Sequence, residues 1–418
     1  AGGEIIDDAT ASGGTLPASV TFTPSIFNGQ TPTVTPASLV AGAAGASALA
    51  FQTGNPLPAD GKIIIEFPST FHAVAATAAT ITSGMDGTLT ATTSGREVTI
   101  TRGGAATATA AGDDIVISIP SVTNQKFEGA SGDWVAFKTT LAGGEIIDDS
   151  TAVGGVLPAS VVFTPSGFSS SPTIIPQSLI AGDTSDATIT FRNANPIPVD
   201  GKIVFSVPDT FTNVRDDIVL VSKSFDGGVH VGKTGTAPTF VDTLKTAGGP
   251  WVITLTRHGD GSVVFANTDI VLTLSGFINQ QFEGSSGVFP LFKTTLADGS
   301  TAIDESSAES DAIGTLPPAV VFTPSGFQSV TPTIVPQSLV VGETHDVDVS
   351  FTTQNPIPVD GKIIFTVPDT FTTIKDSITI GSLGNIDGGF SVSSTGTTTT
   401  YADTLKTAGG PWELTITR

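Results

Sequence analysis

The residues best suited to chemistry in this chain are carboxylates. Glu4, Asp7 and Asp8 stand together in AGGEIIDD, and the same eight residues return at Ala142, bringing Glu145, Asp148 and Asp149. A looser pair, Asp304 and Glu305, follows Ala297 in a diverged copy. Paired carboxylates can hydrolyse glycosides, but these lie in connecting segments with no aromatic side chain nearby in sequence for a sugar to stack on. Hard cations take several carboxylate and carbonyl oxygens, so Glu4, Asp7, Asp8, Glu145, Asp148 and Asp149 are weak candidates for structural calcium; no other cofactor is expected. A solvated acidic connector is the plainer reading. His72, His230, His258 and His345 do not recur from copy to copy, and no two stand at metal-ligand spacing. There is no GxSxG, HExxH or phosphate-cradling glycine loop. No catalytic residue is expected, and the chain reads as a non-enzyme.

The elements that would position these groups are repeated. NPLPADGKIIIEFP at Asn55–Pro68 returns as NPIPVDGKIVFSVP at Asn195–Pro208 and NPIPVDGKIIFTVP at Asn355–Pro368. Internal repetition of this kind points to one module used several times. Asp60-Gly61, Asp200-Gly201 and Asp360-Gly361 have tight-hairpin chemistry, so the strand before each turn is expected to pair with the strand after it. Ile203, Phe205 and Val207 share a face by the two-residue period of a strand. Lys62, Lys202 and Lys362 just past the turn, and Arg102, Arg257 and Arg418 at a strand end, read as structural, the arginines facing acidic loops. Trp134, Trp251 and Trp412 begin strands with apolar alternation and are expected in core or rim packing.

Each copy ends in a connector, VTFTPSIF, VVFTPSGF and VVFTPSGF, where Val20 and Phe22, Val161 and Phe163, and Val320 and Phe322 alternate as a last strand. A Thr/Ser/Pro segment follows. Proline cannot donate to a ladder, so these segments are edge or first strands. The expected organisation is a terminal strand segment at 1–27, equivalent to the end of a preceding module, then modules at 28–168, 169–327 and 328–418. The third stops at Arg418, before counterparts of DIVISIP, the FEG turn and WVAFKTTLA, and is therefore incomplete at its C-terminal end. Two explanations fit: the chain is cut from a longer array, or a neighbouring copy supplies strands by β-augmentation. On the second, Val20, Phe22, Val161, Phe163, Val320 and Phe322 are the strand-exchange residues.

The 418 residues suit two to four domains. With 47 Gly, 27 Pro and 13% charged residues, the composition is that of short strands and tight turns. The 39 acidic residues against 17 Lys and Arg give a net charge of −22, which repels phosphate backbones and argues against a nucleic-acid partner. Without cysteine there is no disulfide or thiolate chemistry. No apolar run is long enough to span a bilayer. The chain carries no Asn-x-Ser/Thr acceptor, but its Thr/Ser/Pro clusters suit O-glycans, with Thr31, Thr33, Thr35, Ser169, Ser170, Ser171, Thr173, Thr331 and Thr333 as candidate sites. Ile64, Val204 and Ile364 are apolar where the strand should face outward, so a neighbouring module, the facing sheet or a glycan is expected over them.

The NPIPVDGKIxFxVPxTF block, the VFTPSGF connector and the PTIxPQSLxxG strand together resemble secreted tandem Ig-like repeat proteins of microalgae, other protists and bacteria. The resemblance covers all three modules. It implies an extracellular or cell-surface fibre component, in some members O-glycosylated and linked by donor strands. The expectation is an all-β chain of tandem Ig-like antiparallel β-sandwiches, a structural filament subunit whose partners are copies of itself joined head to tail. The alternative is an adhesin stalk spacing a binding domain outside this sequence. Filaments would assemble from the repeats alone, whereas a stalk would stay monomeric.

Overall fold

The computed structural model describes residues 18–235, 251–307, 314–328 and 331–368, with 370–371, 374, 379–381, 384, 386–396 and 411–418 beyond them. Every regular element among these residues is a strand. They group into two compact units, residues 1–164 and 165–418, so the first division falls four residues before the expected boundary and the second and third repeats share a unit.

In the first repeat the strands are β1 (Thr33–Pro36), β2 (Ala44–Gln52), β3 (Lys62–Glu66), β4 (Ala73–Val74), β5 (Thr80–Ser83), β6 (Thr88–Ser94), β7 (Glu97–Gly103), β8 (Asp114–Thr123), β9 (Gly129–Ala130), β10 (Ala136–Thr140), β11 (Ile146–Asp149) and β12 (Val162–Phe163). One sheet runs β1-β2-β8-β4, with β5 also on β8; the other runs β11-β10-β3-β7-β6. All of these ladders are antiparallel. The strand alternation places Leu49 and Phe51 from one sheet against Ile63, Ile65, Val98 and Ile100 from the other in one buried core. This is a β-sandwich, its faces joined by interdigitated apolar side chains.

The second repeat uses the same plan. Its strands are β13 (Ser170–Pro176), β14 (Thr184–Arg192), β15 (Lys202–Val207), β16 (Asn213–Val214), β17 (Leu220–Lys223), β18 (Val229–Thr234), β19 (Trp251–Arg257), β20 (Asp269–Ile278), β21 (Gly284–Ser285), β22 (Leu291–Thr295), β23 (Ala302–Ser307) and β24 (Val321–Phe322). The sheets are β13-β14-β20-β16, with β17 on β20, and β18-β19-β15-β22-β23. The third repeat has β25 (Thr333–Pro336), β26 (Val347–Ser350), β27 (Lys362–Val367), β28 (Ser391–Thr395) and β29 (Trp412–Thr417), paired as β25-β26 and β27-β29-β28. Its described core is small: Val367, Trp412 and Leu414, with Phe365, Phe371 and Ile374 against it. Ile364 and Val347, each paired on one side only among the described residues, are exposed here, whereas their first-repeat counterparts Ile64 and Ser47 are paired on both sides.

The structure corrects one expectation. β2 and β3 do not form a hairpin: they lie in opposite sheets, and NPLPADG is the crossover between them. The glycines serve a different purpose from the one expected. Gly61 is not among the glycines with positive φ. A Cβ there would meet Leu57 Cδ1 at 2.7 Å and the carbonyl oxygens of Pro58 and Thr140 at 3.1 Å, so the chain needs glycine for close approach. The proline-bearing strands are edges, as expected: β1 pairs only with β2, and β13 only with β14. Val204 is buried at 6% exposure. Its register neighbours are Thr254 on one side and Lys293 on the other, so its own sheet flanks it.

Candidate functional site: the connector clamp

The densest recurring polar arrangement lies where each connector meets its repeat. Strand alternation turns Asp148 of β11 inward, and its carboxylate is fully buried. Ser25 Oγ donates to it at 2.5 Å, Gly54 N at 3.1 Å, Asn55 N at 3.3 Å and Asn55 Nδ2 at 3.1 Å. One side chain thus ties the incoming connector, the start of the Asn-Pro crossover and the last long strand. The second repeat reproduces this with Asp304 of β23, which accepts from Ala194 N at 3.0 Å, Asn195 N at 3.2 Å, Asn195 Nδ2 at 3.1 Å and Ser166 Oγ. Burial pushes the Asp304 carboxyl up to about 6, against the pull of these donors. In the third repeat Asn355 Nδ2 bonds Ser325 Oγ at 2.8 Å and the carbonyl of Ala181 at 3.1 Å, so the Ser–Asn half of the arrangement is present there.

A second clamp holds the crossover from its other side. Arg102 is buried, and its guanidinium donates to the carbonyls of Leu57, Pro58 and Thr107, each at 2.8 Å, with Asp86 at 3.3 Å. Arg257 does the same for Ile197, Pro198 and Ser262, with Asp226 at 3.7 Å. Arg418 reaches Ile357 O at 2.6 Å and the carboxylate of Asp387 at 2.5 Å. Burial lowers the pKa of Arg102 and Arg257, and the neighbouring aspartate opposes it. The expected acidic partners are present; the crossover carbonyls were not foreseen. A guanidinium suits them because its planar fork serves several acceptors at once.

The outgoing connector is a plug. Phe163 is buried and meets Phe71 edge-on at 5.6 Å, and β12 pairs with β9. Phe322 repeats the contact with Phe211 at 5.6 Å. Val161 and Val320 pack against the same cores. These four residues therefore close repeats of their own chain. Val20 and Phe22 carry the same pattern but are 75% and 88% exposed. Five residues past the buried Phe163 the next repeat takes hold: Phe168 packs with Phe191 and Phe292 at 5.6 and 5.2 Å.

The other expected residues are dispersed. Glu4, Asp7 and Asp8 lie outside the described residues. Asp149 accepts from Thr151 rather than joining Asp148, and the carboxylate of Asp148 is filled by N–H and O–H donors. Among the described residues no three His, Asp or Glu side chains gather as a cation site. Thr31, Thr33 and Thr35 are exposed, while Pro32, Val34 and Pro36 between them are buried. Ser169, Ser170 and Ser171, and Thr331 and Thr333, are exposed too; Thr173 is half-buried and bonds Thr190 at 2.6 Å. All four histidines are exposed. Trp134, Trp251 and Trp412 are buried.

No family model and no curated protein matches the chain. Among solved structures, the type II cohesin dyad from the adaptor ScaA scaffoldin of Acetivibrio cellulolyticus is 10% identical, with 70% of this chain and 98% of that one covered and a TM-score of 0.21. A structure described as manganese lipoxygenase of Gaeumannomyces graminis with part of zonadhesin of Komagataella pastoris is 12% identical over 70% and 98%, TM-score 0.19. A membrane-anchored protein of Corynebacterium diphtheriae is 9% identical over 63% and 86%, TM-score 0.15. The assignment to tandem antiparallel β-sandwiches rests on the strand pairing itself. No helix of the described residues is long and apolar enough to cross a membrane.

Proposed function

We propose that this chain is a structural, non-enzymatic component of an extracellular filament, built from repeats that join head to tail. The observation that carries the reading is the connector. One short segment plugs the repeat behind it through Phe163 or Phe322 and is fastened to the repeat ahead through Ser166 or Ser325. The exposed Val20 and Phe22 carry the same plug chemistry, which supports donor-strand joining between copies. The outward Thr31, Thr33 and Thr35, alternating with the buried Pro32, Val34 and Pro36, favour O-glycosylation, as do the exposed Ser169, Ser170 and Ser171. Calcium would act only as a structural ion, through the acidic connector.

Electron microscopy of the native material at neutral pH, with and without a calcium chelator, tests this. Long unbranched fibres with a repeat of a few modules are expected; single short rods would replace the filament with the adhesin stalk. An intact mass equal to the 42.2 kDa polypeptide would remove glycosylation of this chain.

A further inference from the structure

Beside the antiparallel pairs β12–β9 and β21–β24, the connectors make isolated bridges that are parallel, unlike the ladders of the sheets. Ser25 bridges Asp148 and Thr164 bridges Val40; in the second repeat Ser166 bridges Asp304 and Thr323 bridges Ile180, all four parallel. Each carries two backbone hydrogen bonds. For the incoming connector of the second repeat these are Ser166 N to Ile303 O at 3.2 Å and Glu305 N to Ser166 O at 2.7 Å. For the outgoing one they are Ala181 N to Thr323 O and Thr323 N to Leu179 O, both 2.8 Å.

Direction decides how such a bond breaks under tension. In an antiparallel hairpin, pulling the adjacent chain ends apart opens the ladder one bond at a time. In a parallel pair, pulling one strand from its N-terminal side and the other from its C-terminal side slides them past each other, so the bonds of the pair load together. Tension along this chain meets the second geometry twice per repeat. It pulls Ser166 backward against the strand that continues to Thr323, and Thr323 forward against the segment that follows Ser166. Both counterparts are fastened. Asp304 is tied to the Asn-Pro crossover, and Asn279 Nδ2 donates to the carbonyls of Ser178 at 2.9 Å and Ile180 at 2.8 Å. Asn124 holds Ser38 and Val40 in the first repeat at 2.8 and 2.9 Å.

We propose that the two parallel connector bridges of each complete repeat are shear clamps that carry tension through the chain. The proposal rests on the filament reading above, but it concerns single chains and is tested without polymerisation. Because the protein has no cysteine, introduced thiols provide unique handles. The whole chain is pulled between its ends in a force spectrometer, and a Ser170→Cys/Arg192→Cys variant is pulled from the open end of the β13–β14 hairpin, where those residues are register partners. End-to-end pulling is expected to give two peaks, one per complete repeat, several-fold higher than the hairpin opening. Equal forces in the two geometries would overturn the proposal. Thr323→Pro, which deletes the Thr323 N–H, is expected to lower the second repeat's peak and leave the first; an unchanged peak would also overturn it. If that variant does not fold, the two-geometry comparison decides alone. Fibres absent from micrographs but a high end-to-end force would sink the filament and leave the clamp standing.

Discussion

At Asp304 the chain buries a carboxylate among neutral donors, and the balance of burial against hydrogen bonding sets its titration. Its folded pKa of about 6 lies above the ordinary 3.8, so the folded chain holds the proton more tightly than the unfolded one. The stabilising contribution is therefore full below the unfolded value and is lost as pH rises through about 6, a range worth about 3 kcal/mol. Thermal melts of the intact protein from pH 4 to 7 should show this slope for the second repeat, and Asp304→Asn should flatten it. Asp304→Ala is expected to cost about 3 kcal/mol at neutral pH, because the amides of Ala194 and Asn195 lose their acceptor; denaturant melts measure it. Arg257→Lys should cost about 2 kcal/mol, since an ammonium cannot serve the carbonyls of Ile197, Pro198 and Ser262 together. Repetition marked Arg257 as structural but not its task, whereas Asp148, expected in a solvated acidic connector or as a calcium ligand, is buried among hydrogen-bond donors. The partners of Asp148 come from Ser25 and Asn55, far away in sequence, and only folding brings them together. The legible trace was the Ser of each TPS connector and the Asn of each Asn-Pro turn, recurring in step with the aspartate.

Among the elements, the strands themselves were readable, because the two-residue alternation of residues such as Ile203, Phe205 and Val207 is local and each has one face to bury. The Asn-Pro crossover was not. Asp-Gly between two alternating segments has the local chemistry of a hairpin, but two prolines precede it, and the buried arginine draws the carbonyls of Leu57 and Pro58 inward. The chain is thus carried across the sandwich to the other sheet. The connector was legible as a last strand, though not as a plug in its own chain. Phe163→Ala should destabilise the first repeat by about 3–5 kcal/mol, as large-to-small changes in a packed core do. Phe22→Ala, at the matching but exposed position, should leave the melting temperature unchanged. A calorimetric scan of the two variants separates them.

In the molecule as a whole, protection should follow the cores. The first two repeats each bury a large two-sheet cluster, whereas among the described residues the third buries Val367, Trp412 and Leu414. Amide hydrogen exchange is expected to be slow in β8 and β20 and fastest in β25 to β29, read by mass spectrometry of the intact chain. The repeated plan was plain in the sequence, as were the segments of the first two copies after Arg102 and Arg257. The division after Thr164 was less so, because the connector belongs to both neighbours and its halves are assigned only by what each side chain touches. That shared ownership has a genetic consequence. A duplication or deletion that begins and ends at equivalent points of two repeats joins each plug to the socket of a closely similar repeat, whatever the point of recombination. Such an array can lengthen or shorten by unequal crossing-over without inventing a new interface.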